Sequence, residues 1–226
     1  MITTLIHKYF IDQYVTDKIT KKICLINNLR AKFTSILFLT IALISTLYDF
    51  LIYQKIIDYN IFILHFKTDI ILLVFSFIFL IYVFFNQVVE LKEIKKHHRL
   101  IHGAISVIII SWGAVKSGLT LLSEENQYYI YMLTILIISI LFYYPFMISF
   151  LQFIYSYVLL WLIHLVFNIT FKSAFHDLFY ILFFITISFI ISRILYYHKV
   201  KYLIKESEIS KLKKHINKNG KVNPTS

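Results

Sequence analysis

Residues 128–167 read YYIYMLTILIISILFYYPFMISFLQFIYSYVLLWLIHLVF, a run without a single Asp, Glu, Lys or Arg. As one α-helix this run would be about 60 Å long, twice the ~30 Å hydrocarbon thickness of a bilayer. It must therefore turn back on itself. Pro145, near its middle, marks the turn because proline cannot donate to the helical hydrogen-bond ladder. The stretch predicts two membrane-spanning helices joined by a tight hairpin.

The composition of the whole chain has the same character. Of 226 residues, 59% are hydrophobic and 15% charged, and the mean hydropathy is +0.73. Soluble chains are nearer ~45–50% apolar and ~25% charged, which excludes an ordinary cytosolic enzyme. A single Cys excludes a disulfide scaffold, and two Pro with four Gly exclude collagenous or Pro/Gly-rich disordered chains. A polytopic membrane protein remains.

Six apolar stretches are long enough to span a membrane, which predicts an all-α bundle of six transmembrane helices. They are Thr34–Tyr53, Asp69–Val89, Ile101–Ser123, Tyr128–Tyr144, Met147–Phe167 and Asp177–Tyr197. Tyr residues cluster at their ends, as expected at a lipid–water interface. Six spans use about 120 residues and leave roughly 106, spread over two tails and five loops. That is too little for a separate soluble catalytic domain, so no enzyme is expected.

The distribution of positive charge predicts the orientation. Six Lys and Arg lie in residues 1–33, four lie in the second loop and nine lie from Arg193 onward. The positive-inside rule then places both termini in the cytoplasm, which requires an even number of spans. The expected organisation is a cytoplasmic segment 1–33, a bundle 34–197 and a cytoplasmic tail 198–226. The expected location is the cell (inner) membrane.

The leading segment combines apolar residues at helical spacing with Lys on other faces. The apolar positions are Leu5, Ile6, Tyr9, Phe10, Ile19, Ile23 and Ile26. This pattern suits a helix lying on an anionic inner leaflet, and a flexible basic tail held only by charge is the alternative. The net charge of +11 is concentrated at the cytoplasmic edges of the spans. Anionic lipid is therefore the expected partner, and nucleic acid is not.

Three polar residues reach similar depths in the predicted bundle. At 1.5 Å per residue, Asp49 and Lys116 each lie ~22 Å from the inner side and His164 lies ~26 Å from it. His176 and Asp177 add polar groups at the start of the sixth span. One interpretation is an outward-open polar pocket with an Asp49–Lys116 ion pair. The other is that Lys116 extends to the outer interface past Trp112 and that His164 is interfacial.

The third span is rich in small residues. It contains three of the four Gly, together with several Ala and Ser: Gly103, Ala104, Ser106, Ser111, Gly113, Ala114, Ser117 and Gly118. Small residues let neighbouring backbones approach closely within a membrane. This span is therefore predicted to be the central helix, with a packing role.

Catalytic and metal-binding motifs are absent from the sequence, and no cofactor is expected. One loop gathers possible metal ligands: Glu90, Glu93, His97, His98 and His102. The Lys and Arg residues between them would repel a cation, which favours a solvated loop and no metal site. Cys24 is flanked by Lys21 and Lys22, which leaves a Cys-dependent membrane peptidase as a remote alternative.

After the sixth span the chain continues from Arg193 to Ile216 without Gly or Pro. Residues on one face follow the 3-4 spacing of a coiled coil: Leu195, His198, Tyr202, Lys205, Ile209, Leu212 and Ile216. This exit helix is short, but confinement to a membrane raises its effective concentration and favours a parallel homodimer. Residues 217–226 are expected to be disordered.

Several of these features together resemble a known family. They are the Tyr-Asp-Phe-Leu-Ile-Tyr end of the first span (Tyr48–Tyr53), the small-residue third span, the hairpin at Pro145 and the Arg-x-Leu-Tyr-Tyr exit (Arg193–Tyr197). They look like the six-helix membrane input domain that precedes class III adenylyl and guanylyl cyclases. Similar anchors precede diguanylate cyclases and some histidine kinases. The resemblance covers residues 30–216.

The resemblance implies a signal-input module whose exit helix controls a dimeric catalytic domain. No such domain follows in this chain, so none of the family's catalytic residues can be carried over. The resemblance thus implies an orphaned or truncated module, or a fragment of a longer gene, with a cyclase-type partner encoded downstream. The alternative class is a small transporter or transporter subunit that uses the level of Asp49, Lys116 and His164. Nothing in the sequence identifies a stimulus.

Overall fold

The computed structural model describes residues 15–51, 59–86, 91–122, 128–166 and 171–219. Over these residues the chain is helical and contains no strand, which confirms the all-α class. The described helices are α1 Asp17–Leu51, α2 Tyr59–Phe85, a 3-10 turn Leu91–Glu93, α3 Lys96–Leu122, α4 Tyr129–Leu141, α5 Phe146–Val166 and α6 Phe171–Asn219. All except α4 and the 3-10 turn are long and apolar enough to cross a membrane.

The first helix extends well beyond the predicted first span. α1 has 35 residues and is about 52 Å long, and no break occurs at residue 33. Ile19 and Ile23 are buried in a cluster with Tyr196 and Val200 of α6. Part of the apolar face of residues 17–33 therefore packs against α6 within the protein. Residues 1–14 lie outside the described part of the chain.

The last helix is longer still. α6 has 49 residues, about 74 Å, and runs without interruption from the bundle through the predicted exit helix. It includes residues 217–219, which were expected to be disordered, and residues 220–226 lie outside the description. The second helix also differs from the prediction. α2 begins at Tyr59, ten residues before Asp69, so Asp69 lies inside the helix instead of at its start.

The break expected near Pro145 is present. α4 ends at Leu141, and the backbone at Phe142 is extended, with φ −111° and ψ 136°. The next helix begins directly after Pro145, whose carbonyl accepts the first helical hydrogen bond from Ser149 N at 3.0 Å. The 13 helical residues of α4 cover only about 20 Å.

Contacts between distant residues define two ends of the bundle. Asp17 lies 3.8 Å from Arg99, and Lys22 lies 2.9 Å from Glu206. The start of α1, the start of α3 and the later part of α6 therefore share one end, called the terminal end below. Tyr128 and His164, which bond each other at the start of α4 and the end of α5, lie at the opposite, distal end.

α3 is the most enclosed of the five long helices, as predicted from its small residues. In its apolar segment 56% of the residues are buried, against 22–33% in the other four. α3 packs against α1, α2, α4 and α5, while α4 and α5 also pack against α6. A Cβ added at Gly113 would collide with the side chain of Thr134 on α4, whereas one added at Gly103 would meet nothing within 4 Å. Gly113 therefore permits the close approach of α3 and α4.

Candidate polar site between the first three helices

Three helices each present two polar side chains one helical turn apart toward a common point near the distal end. The pairs are Ser45 and Asp49 on α1, His65 and Asp69 on α2, and Trp112 and Lys116 on α3. Residues four apart lie on the same face of a helix, so each helix turns one polar stripe inward. This group of six residues is called the charged cluster below.

Lys116 is the centre of the charged cluster. Its Nζ atom lies 2.9 Å from Asp49 Oδ2 and 2.7 Å from Asp69 Oδ2. All three side chains are buried, with 7% or less of any of them exposed. The interpretation that Lys116 extends to the outer interface does not describe this side chain, because two carboxylates hold its ammonium group within the bundle.

The two carboxylates differ in how fully they are bonded. Asp69 Oδ1 accepts a hydrogen bond from Trp112 Nε1 at 3.0 Å, and its Oδ2 accepts from both Lys116 and Ser45. Asp49 Oδ2 accepts from Lys116, but its Oδ1 accepts no hydrogen bond from any donor in the described part of the chain. Asp49 is nevertheless only 2% exposed. It is therefore a buried carboxylate with acceptor capacity to spare.

A cavity of about 360 Å³ adjoins the charged cluster. Asp49, Lys116 and His65 contribute to one part of its lining, and Tyr48 and Tyr129 contribute aromatic rings. Ser45 and Thr120 add hydroxyl groups, and apolar side chains from α1 and α4 complete the lining: Ile41, Ile44 and Ile130. The cavity therefore joins a charged surface to an aromatic and aliphatic one.

His164 bonds residues outside the charged cluster. Its Nε2 atom bonds Tyr128 OH at 2.7 Å, its Nδ1 lies 2.8 Å from the Leu160 carbonyl, and its ring stacks on Tyr128. The structure thus brings Asp49 and Lys116 together but gives His164 partners of its own. The side chains of His176 and Asp177 lie outside the described residues.

Sequence reasoning missed Asp69, His65, Trp112 and Ser45 as members of the cluster. Asp69 was placed at the start of a span, because a charged residue ends an apolar stretch in a hydropathy profile. The repeated i, i+4 polar pairing on three successive helices was a usable signal. A lone polar residue has many explanations, but three such pairs at one depth predict a shared polar site.

A second polar region surrounds the break between α4 and α5, near the terminal end. Asn27 Nδ2 donates to the Tyr143 carbonyl at 2.9 Å, and the Tyr143 N–H donates to Asn27 Oδ1 at 3.0 Å. Arg30 donates to the carbonyls of Ile140 and Leu141 at the end of α4. Arg193 donates to the Tyr144 carbonyl at 3.0 Å. Asn27, Arg30 and Arg193, with the backbone they bind, are called the break clamp below.

Arg193 connects the break clamp with the exit helix. It is 1% exposed, and its guanidinium lies over the rings of Tyr196 at 4.7 Å and Phe146 at 5.6 Å. Leu195, predicted on the same face as the exit-helix residues, is instead partly buried against the cluster of Ile19, Ile23 and Tyr196. The exposed apolar stripe lies farther along α6: Tyr202, Ile209, Leu212 and Ile216. The stripe and Arg193 therefore belong to one continuous helix.

Cys24 is buried and lines a small cavity of about 90 Å³ that His102 also lines. His102 Nε2 lies 3.4 Å from Asn28 Oδ1, and no hydrogen bond joins it to Cys24. Among the residues that the structure describes, no group of three His, Cys, Asp or Glu side chains is placed to hold a metal ion. Glu90, which belongs to the loop considered for metal binding, lies outside them.

Comparisons with protein-family models, with curated proteins and with solved structures find no match to this chain. The resemblance to cyclase input domains therefore depends on the layout and junction residues given above. The function is argued below from the chemistry of the chain's own residues.

Proposed function

We propose that the chain is a membrane signal-input module. In this proposal six helices cross the cell membrane, a stimulus received in the bundle shifts the arrangement of α6, and two copies pair through its exposed end. The output is a cyclase-type partner encoded downstream. The observation that carries the proposal is the continuity of α6, which joins a bundle residue as buried as Arg193 to the exposed apolar stripe without a break.

The proposed orientation places the terminal end in the cytoplasm. Nineteen of the 23 Lys and Arg residues lie in the leading segment, the second loop and the stretch from Arg193 onward. Contacts join those same three regions, since Asp17 meets Arg99 and Lys22 meets Glu206. A positively charged end favours the cytoplasmic side and an anionic inner leaflet. In this proposal α4, with 13 helical residues, makes the sixth crossing.

The stripe on α6 supports pairing between two copies. Ile209, Leu212 and Ile216 are 53%, 62% and 68% exposed, although they are apolar and follow 3-4 spacing. Such spacing is the pattern of a coiled-coil seam, and the helix around it is rich in Lys and Glu. Parallel pairing of two membrane-anchored copies buries all three residues. Membrane confinement supplies the effective concentration that this short seam requires.

The break clamp supplies a route from the bundle to the stripe. Arg193 binds a backbone carbonyl between α4 and α5, so a shift of that break changes the position from which α6 leaves the bundle. A stimulus shifts the equilibrium only if it binds the two arrangements with different affinity. The charged cluster and its cavity offer a place for such differential binding.

A fusion to a dimeric cyclase domain tests this function. Residues 1–216 are joined to the catalytic domain through linkers of zero to seven added alanines, and cyclic nucleotide output is measured in membranes. We expect output to vary with the rotational phase of the helix and to recover with seven added residues, which restore the heptad. A constant output across the series would contradict transmission through α6.

One observation favours a transporter as the second candidate. A buried Lys with two carboxylates beside a cavity is the kind of site that marks a solute or ion path within a membrane. In this case the purified chain in vesicles would move a cationic solute or protons, and Asp49→Asn would abolish that flux. Flux without any effect of linker phase would favour this candidate over the input module.

A further inference from the structure

We infer that the cavity at the charged cluster binds a small organic cation, with its ammonium group against Asp49 and its apolar substituents against the Tyr and Ile walls. This inference rests on the proposed function, because it names the chemical class of the stimulus. Binding is measured separately from transmission, so the failure of one does not conceal the failure of the other. The three steps below concern charge, acceptor capacity and shape.

The charged cluster holds more carboxyl groups than ammonium groups. Asp49 and Asp69 supply two carboxyl groups against the single ammonium of Lys116. Burial of a charge is unfavourable unless a partner of opposite charge compensates it, so a carboxylate in excess of the ammonium favours one additional cation. A cationic ligand in the adjoining cavity would complete the balance.

Asp49 is the carboxylate that can receive this cation. Both carboxylate oxygens of Asp69 accept hydrogen bonds from donors on α1 and α3, and Asp69 does not line the cavity. Asp49 lines the cavity, is almost fully buried and retains an oxygen that accepts no bond from a described residue. An ammonium group that donates to Asp49 Oδ1 leaves the existing contacts of Lys116 intact.

The walls of the cavity favour an organic cation over an inorganic one. Its volume of about 360 Å³ lies at the lower end of the ~300–1,000 Å³ typical of small-molecule sites. Tyr48 and Tyr129 offer aromatic faces, which attract alkylammonium groups, and three Ile side chains offer aliphatic surface. A hard metal ion prefers about six or more oxygen ligands, whereas much of this lining is aromatic and aliphatic carbon, with Asp49 as the single carboxylate among its described residues.

Trp112 provides the means to test this binding. The chain contains two Trp, and the other, Trp161, is exposed on α5. In a Trp161→Phe background, emission reports the indole that donates to Asp69 within the charged cluster. The purified full chain in detergent is titrated with tetraethylammonium chloride, with sodium chloride at equal ionic strength as the reference. We expect a saturable change with tetraethylammonium that sodium does not produce.

Two variants locate the site. Asp49→Asn should weaken tetraethylammonium binding about tenfold or more, since hydrogen bonds to charged groups are the strongest of their kind. Asp17→Asn is the matched control, because this carboxylate lies on the same helix but is exposed at the terminal end. Tyr129→Leu removes an aromatic wall from an exposed position outside the charged cluster and should weaken binding severalfold.

A response to sodium equal to the response to tetraethylammonium would contradict an organic cation as the ligand and would favour an inorganic ion. No saturable response in the parent protein would overturn the inference altogether, and so would unchanged affinity in Asp49→Asn. If Asp49→Asn fails to fold in a thermal unfolding control, Tyr129→Leu is the deciding variant. Unchanged tetraethylammonium affinity in Tyr129→Leu would contradict the proposed binding position. Binding without any effect in the cyclase fusion would contradict the proposed function alone.

Discussion

The charged cluster and the break clamp are both buried polar regions, but their partners differ in kind. In the break clamp, side chains bond backbone groups that the interruption at Phe142–Pro145 has left without helical partners. In the charged cluster, side chains bond other side chains on the inner faces of intact helices. The break clamp supplies the hydrogen bonds that the interrupted backbone needs. The side chains of the charged cluster do not have this role.

This difference separates a region that the backbone requires from one that it does not. Irregular backbone at membrane depth persists only where its polar groups are bonded within the protein, so a break demands a clamp. No such demand explains a Lys and two Asp between unbroken helices, where Leu would pack at lower cost. Intramembrane charges of this kind mark sites of binding or transport. The charged cluster is therefore the region for which we propose a binding role.

The largest expected effect comes from removing the centre of the charged cluster. Lys116→Met leaves two buried carboxylates without their shared ammonium and should lower the free energy of unfolding by about 3–5 kcal/mol. Denaturation in mixed micelles measures it. Lys67→Met, at an exposed position on α2, is the control and should change little. Similar values for the two variants would mean that the cluster contributes no more than a surface charge.

The break clamp should show the next largest effect. Asn27→Leu preserves the volume but leaves the N–H and carbonyl of Tyr143 unbonded, and each such group costs about 1–3 kcal/mol. Asn86→Leu, at an exposed helix end, is the matched control. Tetraethylammonium affinity is the second property to measure in this variant. Asn27→Leu should change tetraethylammonium affinity much less than Asp49→Asn does, and a loss of affinity equal to that of Asp49→Asn would erase the distinction between the two regions.

The close packing of α3 against α4 connects the two regions and should show a smaller effect. Gly113→Ala drives a methyl group into Thr134 and should destabilise the protein by about 1–3 kcal/mol. Gly103→Ala meets open space and should stabilise it by up to about 1 kcal/mol through helix propensity. Adding Thr134→Ala should restore part of the loss in Gly113→Ala. Equal responses of the two glycines would show that α3 and α4 are not closely packed at Gly113.

The smallest effect belongs to the ion pair between α1 and α6. Lys22 and Glu206 are 2.9 Å apart but partly exposed, and such pairs contribute about 0–1 kcal/mol. Glu206→Gln should therefore lower stability by less than 1 kcal/mol. The loss should shrink further in high salt, which screens exposed charges. A larger, salt-independent loss would place this pair with the buried regions.

Much of the fold follows from the sequence because its signals are local. Pro145 interrupts a helix wherever it lies, and the small residues of α3 predict enclosure from composition alone. The constant rise of a helix also placed Asp49 and Lys116 at one depth, and the structure joins them. These inferences need only the geometry of one helix at a time.

The remaining features depend on tertiary packing. Asp69 ends an apolar stretch in sequence, but α2 extends ten residues before it because Trp112 and Lys116 satisfy the carboxylate inside the bundle. Ile19 and Ile23 suggested a face for lipid, whereas α6 provides the surface that covers them. The side chain of His164 bonds Tyr128. The depth of a residue can be calculated by counting along one helix. Its partner on another helix cannot be found in this way, because the contact depends on how each helix is rotated about its axis.

Cysteine cross-linking along α6 tests most directly whether the bundle controls a paired exit helix. In a Cys24→Ala background, single Cys residues are placed in turn at positions 205–216, and disulfide formation is measured in membranes with and without Asp49→Asn. We expect the largest disulfide yields at positions 209, 212 and 216. We also expect Asp49→Asn to change these yields or to move the maxima to other positions. A flat profile, maxima on another face, or a profile that Asp49→Asn leaves unchanged would contradict it.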